Sequence, residues 1–180
     1  MSNTIRTVLL GLGIALIIVF VVVASQWDFF FPPAMTLTSS AFSENGIIPV
    51  TYTCDGQGIH PPLAVTGLPK GTVSMALFVY DPDAPHGFVH WVLYNISPHD
   101  TKIAEKVDPQ GSVEGINSTG KTGYAPLCPP SGTHHYQFTI YALDQIFPFV
   151  NPPDMVQLKK VMMWHVLGKA VLQARYDHRS

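Results

Sequence analysis

The chain has 180 residues, room for one domain with a sizeable core; 47% of them are hydrophobic and only 12% charged. The formal charge is −2, there is no extended run of Lys or Arg, and Lys70 is the sole cation between Gly46 and Pro98. A nucleic-acid binder needs a basic face to neutralise phosphates, so that class is excluded.

The apolar surplus sits at the start. Arg6 precedes an uncharged stretch, Thr7 to Gln26, dominated by Val, Ile and Leu. That is close to the ~20 residues that span a bilayer. A cation on the N-terminal side only favours leaving that end in the cytoplasm and exporting the rest. Two readings stand. Val22 and Ala24 satisfy the small-residue rule for cleavage, which gives a secreted protein beginning at Ser25. The length of the run and the aromatic belt of Trp27, Phe29, Phe30 and Phe31 favour an uncleaved membrane anchor. Either reading puts the remainder outside the cytoplasm, in the periplasm or at the cell surface. Residues 1–34 are then the anchor or signal peptide with a linker closed by Pro32 and Pro33, and residues 35–180 are the globular domain.

Sixteen prolines and fourteen glycines punctuate short segments, the pattern of strands joined by loops. Cys54 and Cys128 form a disulfide in an oxidising compartment or act as two small buried hydrophobes; their spacing is not that of a zinc site. Val73 to Tyr80 is apolar on both faces, as a central strand is. His90 to Ile96 alternates, with His90, Val92 and Tyr94 on one side and Trp91, Leu93 and Asn95 on the other. Thr101 to Cys128, rich in Gly, Ser, Thr, Asn and Pro, reads as a long surface loop, and such loops are often functional. Tyr136 to Leu143 is a further strand; if it starts two residues early, His134 shares the face of Tyr136. The C-terminal segment reads as a helix, capped by Asn151 with Pro152 and Asp154 in its first turn and Leu158, Val161, Met162, His165 and Leu172 turned inward. The whole predicts a β-rich sandwich with one terminal helix.

Two segments carry the polar chemistry. In DPDAPHGFVHWVLYN, Asp81 and Asp83 end the central strand, where a carboxylate needs hydrogen bonds or a partner. Pro82 and Pro85 stiffen the turn that aims them. His90 opens the next strand nine residues after Asp81, and a carboxylate beside it would raise its pKa and favour the charged ring. In GYAPLCPPSGTHHYQFTIY, the prolines make a rigid loop, Gly132 leaves room beside it, and His134 and Tyr136 follow as donors. His165 reads as a core histidine, and His60, His86, His99 and His178 as loop or terminal residues, with His86 nearest the acids. No G-x-S-x-G, H-E-x-x-H, phosphate-loop or dinucleotide motif is present. Cys128 with His134, or the two acids with two histidines on a metal, lack any specific spacing. The expectation is therefore a non-enzymatic protein with no cofactor and no metal.

TYTCDGQGIHPPL (51–63), DPDAP (81–85), HWVLYNI (90–96) and CPPSGTHHY (128–136), in this order, resemble the phosphatidylethanolamine-binding protein family, and most of all its bacterial Raf-kinase-inhibitor-like (YbhB/YbcL) branch. The resemblance covers roughly 35–176. It implies an antiparallel β-sandwich with a C-terminal helix beside a shallow anion pocket. Carried onto this chain, that pocket would use Asp81, Asp83, Pro85, His90, Gly123, Tyr124, Pro129, His134 and Tyr136. Its implied ligand is a small anion such as a phosphate or phospholipid head group. Some members of the family inhibit kinases or proteases, so the alternative is an inhibitor acting through the pocket rim and the 101–128 loop on a protein partner. Two departures from the family pattern stand out. Pro126 and Leu127 occupy positions that are often Gly-Pro, and His135 stands where Arg is usual.

Overall fold

Alternation of side chains between two faces, broken at a few bulges, organises the described residues into two sheets. The computed structural model describes residues 34–178, so the apolar run at 7–26 and the cleavage point after Ala24 lie outside the described residues. From Met35 onward the chain is one compact unit. Its elements are β1 (Thr36–Thr38), β2 (Gly46–Ile47), β3 (Leu63–Thr66), β4 (Ser74–Asp81), β5 (Phe88–Ile96), β6 (Lys102–Ile103), β7 (Val113–Glu114), β8 (Gly132–Leu143), helix α1 (Met155–Met162) and β9 (Val166–His178). A small sheet runs β1-β3-β6 and a large one β2-β9-β8-β4-β5-β7.

β4 is central, as its sequence predicts, and all but one of its residues are buried. Met75, Leu77 and Val79 point into the core between the sheets, with Trp91, Leu93, Tyr136, Phe138 and Ile140 from neighbouring strands. Ala76 and Phe78 point the other way, into a second cluster closed by Leu158 and Met162 of α1. Asp81 continues the inward series of β4 and therefore arrives on the core side.

The structure corrects three expectations. The large sheet is mixed rather than purely antiparallel, because β2 pairs in parallel with β9. The helix is short: Asp154, not Asn151, caps it through a reciprocal capping box with Gln157, and it ends at Met162. Beyond it lies β9, where Ala170, Leu172, Ala174 and Tyr176 are buried and the intervening residues exposed. Val161 is exposed, and His165 leaves the core to pair with Asp144, Nδ1 to Oδ1 at 2.8 Å. Thr101 to Cys128 is not an irregular loop. It contributes β6 to one sheet and β7 to the other, and Gly115, Ser118 and Ala125 donate backbone hydrogen bonds to Val92, Val89 and His90. No helix among the described residues is long and apolar enough to cross a membrane.

Candidate functional site

A bulge in β5 aims His90. Val79 pairs with Trp91 but Tyr80 pairs with Val89, so β5 carries one extra residue at this point. The simple alternation that groups His90 with Val92 fails there. His90 lies instead near Tyr136 on the core side, with ring centroids 5.5 Å apart, and Phe88 is 4.6 Å from it. Re-aiming a side chain is a common use of bulges.

Asp81 organises the rest. Its Oδ1 accepts the backbone N–H groups of Asp83 (2.9 Å) and Ala84 (3.2 Å), which closes the DPDAP turn. Its Oδ2 accepts Nδ1–H of His134 at 2.7 Å. The carboxylate thus fixes the tautomer and orientation of His134 and leaves Nε2 as the nitrogen able to meet a ligand. The partner of Asp81 is His134, not His90. His90 donates Nδ1–H to the carbonyl of Ala125 at 3.0 Å. Burial pushes its pKa down, against the smaller upward pull of the Ala125 carbonyl and Asp81. The expected rise does not occur because desolvation outweighs the carboxylate. At neutral pH His90 is uncharged, and its Nε2 is an acceptor.

Tyr136 completes the group. Its hydroxyl is buried and has no hydrogen-bond partner among the described residues. Burial, with Asp81 and Asp83 nearby, raises its pKa, so it remains a protonated donor. Asp81, His90, His134 and Tyr136 are each at most 8% exposed. The site is a buried polar cluster rather than the shallow pocket the resemblance implies. A cleft of about 740 Å³ lies alongside and is lined by Ile47, Val50, Thr133, His135, Arg175 and Asp177 among others.

The other candidates take supporting positions. Asp83 accepts both N–H and Nδ1–H of His135 at 2.8 Å, and the His135 ring holds its carboxyl below the usual range. Pro85 is exposed in the turn, and Pro129 is buried beside Cys128. Tyr124 donates to the Tyr52 carbonyl at 2.9 Å and stands edge-on to Trp91. Gly123, at φ +94°, accepts from Asn117 and turns its α-carbon toward Glu114, not toward the four-residue group. Cys54 and Cys128 are joined in a disulfide, which ties the 51–56 turn to the proline-rich loop. That bond removes Cys128 as a thiol nucleophile. Cys54, Asp55 and His178 place ligand atoms within 4.8 Å of one another, but with Cys54 already bonded only two remain to hold a metal.

Sequence reasoning missed the main-chain and aromatic supports. The Ala125 carbonyl carries no sequence signal. His60, read as a loop residue, is buried and stacks on Trp91 at 4.4 Å. Tyr176 donates to Asp55, which lowers the pKa of that carboxyl, and His178 bonds the same oxygen. Had β9 been read as a strand, Tyr176 would have fallen on the site's face by alternation.

A family model described as phosphatidylethanolamine-binding protein matches residues 38–177. A UPF0098 protein of Methanothermobacter thermautotrophicus is 43% identical over 148 residues, 79% of this chain and 98% of that protein. A Mycobacterium tuberculosis protein carrying a lipoprotein name, LppC, is 36% identical over 79% of this chain and 72% of its own length. Among solved structures, a Chlamydia trachomatis homologue of phosphatidylethanolamine-binding proteins superimposes with a TM-score of 0.78 at 38% identity, covering 81% of this chain and 99% of that one. Escherichia coli YbcL superimposes with a TM-score of 0.76 at 28% identity, covering 82% and 100%.

Proposed function

Because the chain belongs to the phosphatidylethanolamine-binding protein family, we propose that the cluster of Asp81, His90, His134 and Tyr136 binds a small phosphate-bearing ligand without transforming it. The observation that carries this reading is the buried, protonated, partnerless hydroxyl of Tyr136. An unsatisfied buried donor costs about 1–3 kcal/mol, and a ligand oxygen would recover that cost.

The neutral His90 sharpens the choice of ligand. An acceptor Nε2 meets a ligand O–H, whereas Tyr136 supplies a donor. A phosphomonoester in its singly protonated form offers both a P–OH and bare oxygens; a phosphodiester has no P–OH. The preferred ligand is therefore a monoester-type head group such as phosphoethanolamine. Non-enzymatic binding fits the absence of a free nucleophile in the group: both sulfurs are bonded and Asp81 is committed to three hydrogen bonds. An inhibitory rim built on 101–128 is less well supported, since that segment is bonded along β5 and walls the site.

The apolar run at 7–26 and the lipoprotein name of the mycobacterial relative favour work outside the cytoplasm, near a membrane. The test is calorimetry of residues 35–180 with phosphoethanolamine and with glycerophosphoethanolamine. The expected result is tighter binding of the monoester. Equal affinities, or binding unaltered in Tyr136→Phe, would remove the basis for this reading.

A further inference from the structure

The turn that joins α1 to β9 is unlike the rest of the surface. From Val161 to Leu167, five apolar side chains are exposed: Val161, Met163, Trp164, Val166 and Leu167. Trp164 is 84% exposed and Met163 58%, whereas Trp91 is fully buried. Scattered exposed hydrophobes need no explanation, but a contiguous set marks an interaction surface. Two neighbouring segments widen the patch. Exposed Val73 donates its N–H to Leu143, the partner of Val166 in the sheet. The Pro69–Gly71 turn leans on Gly168 and Leu167.

Cations lie on the segments that flank this patch. Lys70 is exposed in that turn, Lys159 and Lys160 lie in the last turn of α1, and Lys169 follows in β9. These are four of the chain's seven lysines, in a chain whose net charge is −2. Lys159 and Lys169 sit over the rings of Phe78 and Tyr141 at 5.2 and 5.7 Å. The acid that joins this turn, Asp144, is occupied by His165. Met35 also belongs here: its sulfur is 3.4 Å from the position a Cβ on Gly168 would take. The described domain therefore begins beside this patch.

We propose that the Val161–Leu167 turn, with Lys70, Lys160 and Lys169 on its flanking segments, is a docking surface for an anionic lipid bilayer. Tryptophan suits the boundary between head groups and acyl chains, and lysines beside it suit anionic head groups. The surface acts independently of the proposed ligand site, and it does not require the N-terminal run to stay attached.

The experiment uses residues 35–180, which span almost the whole length of relatives that exist without such an N-terminal run and so fold on their own. In that protein Trp164 is the exposed tryptophan and Trp91 the buried one, so tryptophan emission reports on the patch. The probe is vesicles of phosphatidylcholine with and without phosphatidylglycerol, in low and high salt. The expected result is a blue shift and quenching by brominated acyl chains with the anionic vesicles, weakened by salt. Partitioning should fall at least about tenfold in Trp164→Ser and in Lys70→Glu/Lys160→Glu, with thermal midpoints unchanged. No blue shift on anionic vesicles overturns the proposal. So does a concentration-dependent dimer by sedimentation that Trp164→Ser abolishes, since the face would then belong to a second copy of the chain.

Discussion

Reducing the Cys54–Cys128 disulfide tests how the site's walls are held. The bond closes a loop of 74 residues. In the chain-entropy model this removes about 15 cal/mol/K from the unfolded ensemble, or about 4.4 kcal/mol at 25 °C. Unfolding of the roughly 146 residues from Met35 carries an entropy near 2.1 cal/mol/K per residue, so losing the bond should lower Tm by about 14 °C. The effect should reach function as well. The bond ties Cys54, whose N–H donates to Leu127, to the loop whose Ala125 carbonyl holds His90. The assay is differential scanning calorimetry of the domain oxidised, reduced with a phosphine, and as Cys54→Ala/Cys128→Ala, each with and without phosphoethanolamine. The reduced protein and the double variant should melt together, well below the oxidised form, with weaker ligand stabilisation. If thiol titration shows two free cysteines while Tm moves by less than ~2 °C, the reasoning fails.

Three other outcomes follow from the geometry. Tyr136→Phe should leave stability unchanged or raise it by up to about 1 kcal/mol, because the lost hydroxyl has no partner, while phosphoethanolamine affinity falls about tenfold, or ~1.4 kcal/mol; denaturant melts and calorimetry read the two effects separately. Asp81→Ala strands the His134 ring and two backbone N–H groups in a buried setting and should cost about 3–5 kcal/mol, whereas Asp83→Ala, on an exposed pair, should cost ~0–1 kcal/mol in the same melts. For pH, the folded His90 pKa lies below its ordinary 6.5, so the unfolded chain binds more protons between the two values. Its contribution is complete above 6.5 and is lost as pH falls toward the folded value; His60, also lowered by burial, adds the same sign. Urea melts from neutral to mildly acidic pH should show stability falling with pH, and His90→Gln should flatten that slope.

How much was legible in the sequence depends on the range of the interaction. β4 and β8 announce themselves by apolar patterning, and the run His134-x-Tyr136 places both side chains on the core side together with Asp81. The bulge at His90 is not readable, because it depends on how β4 and β5 fall out of register, a property of the pair and not of either strand. The tail from Val166 to His178 alternates as a strand does, yet Met155 to Met162 before it has helical spacing, and nothing in the sequence marks the turn at Met163–His165 as the end of the helix. The sign of the His90 shift is hidden from the sequence for a similar reason. Proximity to Asp81 can be guessed from nine residues of separation, but the extent of burial is a tertiary quantity, and burial decides the outcome. The 101–128 segment looked like a loop because its two strands have two residues each and are held mainly by partners elsewhere in the chain.

The most direct measurement is an NMR titration of the imidazole nitrogens of residues 35–180 with phosphoethanolamine at neutral pH. Nε2 of His90 and of His134 should shift together and saturably, with Nδ1 of each still hydrogen-bonded to Ala125 and Asp81, and the shifts should weaken in Tyr136→Phe. Saturable binding that leaves both Nε2 signals in place, while histidines elsewhere move, would contradict the account.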